Sequence, residues 1–236
     1  MFKKHCKNLK EIERSISILE RAINETIRKK RKDEEKIYTK LLCAIIVSWL
    51  EIRLLKLLYE VSDYKNLNSA KIFSSTEILN ILNKNFLLDK WIVALNIAAQ
   101  KAYSLKLSHS KLKITNFKKE KTFELRYKEL VQIINNELPP IINLRNKVDH
   151  GQLLYAYNSL LTDLSQDATT LLRTINIVNL RQKKNIFKSV AYIIHDLTVS
   201  KATFERDFDL HMTNIQNAIQ NAKDIDYEKY KCRITK

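Results

Sequence analysis

Glycine occurs once in the 236 residues, as Gly151, and proline twice, as the pair Pro139-Pro140. Ordinary chains carry about 7% and 5% of the two. Sheets joined by tight hairpins need Gly, Asn-Gly or Pro turns, so this composition argues against a β-rich fold. It also leaves no glycine loop to cradle a phosphate, which removes nucleotide-hydrolysing and dinucleotide-binding activities. Cysteine is scarce as well. Cys6, Cys43 and Cys232 form no closely spaced pair. An odd count, behind a basic Met1–Lys10 with no apolar signal core, points to a reducing, cytoplasmic setting without a disulfide framework. Long apolar runs are missing too. Leu41–Leu50 is followed by Glu51, Arg53 and Lys56. A bilayer needs about 20 apolar residues, so the run reads as a buried core helix and no membrane contact is expected. Acids are the last shortage: 26 Asp and Glu against 42 Lys and Arg leave a net charge of +16.

What is abundant is Leu, Ile, Lys, Glu, Asn and Ala, a helix-forming set. The predicted fold class is all-α, an up-and-down helical bundle with an N-terminal amphipathic helical extension. Leu9, Ile12, Ile16, Leu19 and Ile23 alternate spacings of three and four, the seam of an amphipathic or coiled-coil-like helix. The five basic residues Arg28–Lys32 suit its C-terminus. Self-packing of this seam is favoured over packing on a second subunit. A second helix is expected over about Glu35–Val61, apolar nearly all round and central. Asp63–Ser75 is polar and reads as a connection, with Ser75 capping a short helix that carries Ile78, Leu79, Ile81 and Leu82. Leu88–Leu105 follows, with Trp91, Leu95, Ala98 and Ala102 on one stripe. Ser108–Phe117 reads as a projecting loop. A helix over Lys119–Asn136 is expected to stop at Pro139-Pro140, which then opens the next helix. Gly151 ends or kinks that helix before Leu153–Leu164 resumes a helical pattern. Asp167–Leu180 and Asn185–Asn221 supply the last helices. The simplest partition is an N-terminal helix over 1–34, a bundle over 35–225 and a basic tail over 226–236.

So large a positive excess draws polyanions, nucleic acid first among them. The alternative is that a Lys-, Asn- and Ile-rich sequence reflects an AT-rich genome and the charge serves solubility. The excess is unevenly placed, however. Residues 101–128 hold nine Lys and Arg against Glu120 and Glu124.

Chemistry concentrates in Leu144-Arg145-Asn146-Lys147-Val148-Asp149-His150-Gly151. A histidine takes or gives a proton near neutral pH. An arginine beside it holds a phosphate by two parallel hydrogen bonds and stabilises a five-coordinate phosphorus. RNA brings its own nucleophile, the 2′-hydroxyl, so these groups need no metal. Asn146, four residues before His150 and on the same helical face, is placed to orient the imidazole or hold a non-bridging oxygen. Arg145 and His150 lie about 140° apart around an ideal helix. They converge only if the helix loosens at Gly151 or if two subunits present their motifs across a shared cleft. The plainer reading is an i,i+4 ion pair between Arg145 and Asp149, and an ordinary helix end at His150-Gly151.

This string resembles the signature of the HEPN superfamily: an arginine, a polar residue, a short spacer, then a histidine, late in an all-α bundle. The resemblance extends over about residues 35–180. It implies a metal-independent endoribonuclease, commonly dimeric, in a toxin–antitoxin, anti-phage or RNA-processing setting, with an antitoxin or defence protein as a further partner. Arg145, Asn146 and His150 are then the catalytic candidates. Some members add an acid from an early helix, and Glu51 in Ser48-Trp49-Leu50-Glu51 is the weaker candidate for it. Simple pairing of Glu51 with a nearby Arg or Lys is the alternative. Lys147, Lys118, Lys119 and Lys121 are the candidate RNA contacts. No cofactor and no metal are expected.

Other candidates are weaker. His195-Asp196 is similar to the paired ligands of HD phosphohydrolases, with His150 and Asp209 as partners. The spacings do not fit, and Ile193, Ile194 and Leu197 put the pair on a mostly buried helix. His5, Cys6 and Cys232 do not specify zinc. The rival function is a non-catalytic helical module that binds RNA or a partner protein through its basic face or N-terminal seam. DNA binding ranks lower, because no recognition helix is evident.

Overall fold

The computed structural model describes residues 1–61, 72–107, 114–117 and 120–236. Among the described residues the elements are α1 (Phe2–Arg28), α2 (Lys32–Leu58), α3 (Ser75–Leu82), α4 (Leu87–Tyr103), β1 (Lys106–Leu107), β2 (Ile114–Asn116), α5 (Lys121–Asp149), α6 (Gln166–Thr174), α7 (Ile177–Val199), α8 (Lys201–Asp224) and α9 (Tyr227–Thr235). The fold is an all-α helical bundle. β1 and β2 make one short antiparallel pair; β2 falls in the Ser108–Phe117 stretch expected to be a projecting loop, and β1 just before it.

The N-terminal seam packs on its own chain. Leu9, Ile16, Ile23 and Ile27 are buried along α1, which forms a hairpin with α2. Ion pairing and hydrogen bonding extend the contact: Arg181 of α7 pairs with Glu20 at 2.9 Å, and the Trp49 indole N–H reaches Glu13 at 3.3 Å. The stretch expected to be a basic tail is helical from Tyr227. α9 lies against α1, and Tyr230 Oη bonds Asn24 at 2.8 Å. α2 is the central element, with Leu42, Ile46, Trp49, Leu50 and Leu58 all but closed to solvent, and it touches α1, α4, α5 and α7. No helix among the described residues is long and apolar enough to cross a membrane.

Several boundaries differ from expectation, among them the helix expected over Asp167–Leu180, which ends at Thr174 before α7 starts at Ile177. Ser74, not Ser75, caps α3, in a capping box with Glu77. α5 runs unbroken through Pro139 and Pro140. The carbonyls these prolines leave without donors, four residues earlier, belong to Asn135 and Asn136, both exposed to water. Buried Ile134, Leu138 and Ile141 hold the flanking turns in register. Leu153–Leu164 is not helical. Leu161 has φ +59°, the Asn158 side chain accepts from the Thr162 amide at 3.1 Å, and Tyr157 bridges Leu164. Such side-chain bonds compete with the helical ladder. Finally, the last long helix divides at Ser200, whose hydroxyl caps α8 through the Thr203 amide. Of the connection expected over Asp63–Ser75, residues 63–71 lie outside the described residues.

His5 is buried with both ring nitrogens unpartnered among the described residues, stacked on Tyr59 at 5.1 Å. Burial, and then the N-terminal ammonium, push its pKa below the ordinary value. The unfolded chain therefore binds this proton more readily, and stability falls as pH drops through about 6.5 towards the lower folded pKa. His5→Phe should raise the unfolding free energy by about 1–2 kcal/mol at neutral pH, since it removes two unsatisfied polar atoms. It should also flatten the loss between neutral and mildly acid pH. Urea titrations at both pH values read this directly; a destabilised variant would mean the imidazole is hydrogen-bonded.

Candidate functional site

The motif closes α5. Leu138, Ile141 and Leu144 bury one face of this helix, which turns Arg145 towards the outer edge of α2. There Arg145 Nη2 lies 3.4 Å from Glu51 Oε1 and its Nη1 lies 3.3 Å from Asp149 Oδ2. The arginine's Nε is buried without a partner among the described residues. Both sequence-level readings of Glu51 and Asp149 as partners of a nearby cation are thus met geometrically. The tertiary contact, across 94 residues, is the one that joins the motif to an early helix. Glu51, Arg145 and Asn146 line a cleft of about 320 Å³, walled by Phe86, Leu87 and Lys90 at the start of α4. Cys43, about two turns before Glu51 on α2, is buried with its thiol facing the Ile141 carbonyl of α5. Burial, with the Asp149 charge adding, pushes that thiol up to about 12, so it is inert as a nucleophile at neutral pH.

His150 occupies a different setting. The helix keeps its regular bond, His150 N–H to Asn146 C=O at 3.2 Å, up to the last residue. The end is a Schellman arrangement: Gly151 N–H bonds the Val148 carbonyl and Gln152 N–H the Lys147 carbonyl, each at 2.9 Å. It needs a left-handed residue at 151, and Gly151 supplies φ +74°. The helix therefore does not loosen, and the rotation between Arg145 and His150 stands. His150 opens onto a separate hollow of about 520 Å³ with Leu153, Leu154, Tyr155, Tyr157 and Leu161. Asn146, expected on the His150 face, lines the Arg145 cleft instead. Within one chain, then, Arg145, Asn146 and Glu51 come together and His150 does not join them.

The candidate RNA-contacting lysines are scattered. Lys147 donates its ammonium to the Tyr157 carbonyl and so braces the loop after the motif, as Lys40 does at Leu153. Lys121 is exposed at the first turn of α5, about 36 Å along the helix axis from Arg145. Lys118 and Lys119 lie outside the described residues.

His195-Asp196 forms a grouping that the sequence did not disclose. The buried Asp196 carboxylate lies 3.2 Å from His195 Nδ1 and 3.1 Å from His211 Nε2 of α8. Asp209 instead pairs with Arg126 at 3.1 Å. Among the described residues no group of three His, Cys, Asp or Glu is placed to hold a metal ion. His211 went unnoticed because the Ser200 division, which folds α8 back on α7, carries neither Gly nor Pro to mark it.

No family model, curated protein or solved structure matches this chain.

Proposed function

We propose that the protein is a metal-independent endoribonuclease of HEPN type, acting as a homodimer. The observation that carries the reading is the meeting of Arg145 with Glu51 beside Asn146 in an open cleft, with His150 one turn further along the same helix. In the proposed reaction the 2′-hydroxyl of RNA attacks the adjacent phosphorus and the 5′-oxygen leaves. Products carry a 2′,3′-cyclic phosphate and a 5′-hydroxyl. His150 serves as general base or acid. Arg145 turns from its two carboxylates to the phosphorane oxygens, and Asn146 positions the reacting groups. Glu51 holds the guanidinium at the cleft mouth while the site is empty.

The separation of the two hollows favours a second copy. Beside His150 stand Leu153, Leu154 and Leu161, exposed by 42%, 65% and 66%. An apolar surface next to an incomplete polar site is what a two-fold interface needs, since each copy repeats the motif to the other. A toxin or defence setting with a protein inhibitor belongs to the same proposal.

Mixing tests it. Arg145→Ala and His150→Ala proteins are each expected to leave a labelled RNA uncut. Mixed and exchanged, they should regain roughly a quarter of wild-type activity, because half the dimers are heterodimers and each holds one intact Arg145–His150 pair. If wild type cuts and the mixture does not, the site is not shared. If wild type cuts no RNA, the enzyme reading is lost.

A further inference from the structure

We propose that the groove between α7 and α8 binds single-stranded RNA, on a surface separate from the Arg145 cleft. The inference extends the RNA reading above but does not depend on cleavage. Glu51 and Arg53 are two residues apart on α2, about 200° around the helix. Glu51 faces α5, and Arg53 faces α7 with its guanidinium carbon 5.0 Å from the Tyr192 ring centre. The two sites thus lie on different sides of α2.

The groove encloses about 330 Å³. Its walls are amides: Gln182 and Asn185 from α7; Asn214, Asn217 and Asn221 from α8. The last three follow spacings of three and four, so they form one row about 10 Å long, the rise of about three stacked bases. Their side chains make no hydrogen bond among the described residues. An amide offers a donor and an acceptor in one plane, the pattern that matches the edge of a nucleobase. Among the described residues no carboxylate lines this groove. Lys188, exposed at its edge, has no ion pair among the described residues and suits a phosphate.

One end of the groove is a built stacking surface. Tyr192 and His211 lie ring on ring at 5.5 Å, only 14° from parallel. Behind His211 the buried Asp196 carboxylate fixes the ring. Arg53 leans on Tyr192, its Nε buried without a hydrogen-bond partner and its charge without an acid among the described residues. Aromatic and guanidinium planes beside free amides are how unpaired bases are held, by stacking and by their edges. A solvated polar face of a helix hairpin needs neither the stack nor the buried carboxylate behind it.

The test is the affinity of the full chain for a short, labelled, 2′-O-methyl oligouridylate, which cannot be cut, read by fluorescence anisotropy at about physiological salt. Asn214→Ala, Asn217→Ala and Asn221→Ala together keep the charge and favour the helix, so α8 stays folded, which circular dichroism checks. The triple variant should bind at least about tenfold more weakly. Tyr192→Ala should weaken binding as well, and the triple substitution should cause the same loss when made in an Arg145→Ala, His150→Ala background, as expected of independent sites. An undiminished affinity in the triple variant overturns the proposal, as does a wild type that fails to bind. Loss of cleavage with retained groove-dependent binding would sink the nuclease reading alone.

Discussion

His150→Ala is expected to slow RNA cleavage by about 10²- to 10⁴-fold, the usual contribution of a positioned acid–base group. The same change should move the unfolding free energy by no more than about 1 kcal/mol, the scale of a cation at a helix C-terminus. The asymmetry follows from placement. His150 is exposed, its side chain has no hydrogen bond among the described residues, and its backbone bond to Asn146 survives the substitution. A histidine kept for folding would show the reverse, a large stability loss with activity lost in proportion. Cleavage rates and urea titrations on the same preparation separate the two. An unchanged rate would remove His150 from the chemistry.

Pro140→Ala is expected to stabilise the protein by about 2 kcal/mol. A proline inside a helix costs about 3 kcal/mol through its missing N–H and its clash with the preceding turn. Alanine restores the bond to the Asn136 carbonyl. Against this, the unfolded chain gains freedom when proline is removed, worth about 0.4–1 kcal/mol. Pro140 is exposed, so little packing is lost. Were α5 two helices meeting at Pro139-Pro140, alanine would instead leave stability unchanged or lower it. Thermal or urea unfolding of this one variant decides between the two.

The prolines also show where sequence reading ran out. Periodicity exposed the elements whose burial is one-sided or complete: Leu9, Ile16 and Ile23 marked the α1 seam, and Leu41–Leu50 marked α2 as central. Pro139-Pro140 looked like a stop because local geometry disfavours proline in a helix. Tertiary packing of Ile134, Leu138 and Ile141 overrides that preference. Leu153–Leu164 had helical spacing without a surface to bury it, and its leucines ended exposed. The Ser200 division was invisible because a single serine cap, without an acid three residues on, resembles any helix interior. Function followed the same rule. The Arg145–Asp149 pair is local and could be read from spacing, whereas Arg145–Glu51 and Asp196–His211 are set by how helices pack. The same packing keeps His150 out of the Arg145 cleft, and this makes the second copy a requirement of the proposed chemistry.

The central claim is that these residues cut RNA without a metal, using the RNA's own 2′-hydroxyl. It is tested most directly by incubating the wild-type protein with end-labelled RNA in excess chelator and analysing the new ends. The account predicts cleavage undiminished by the chelator, with 2′,3′-cyclic phosphate and 5′-hydroxyl ends, and no cleavage of the same RNA methylated at its 2′-oxygens. Products with 5′-phosphates, or cleavage that the chelator abolishes, would contradict it.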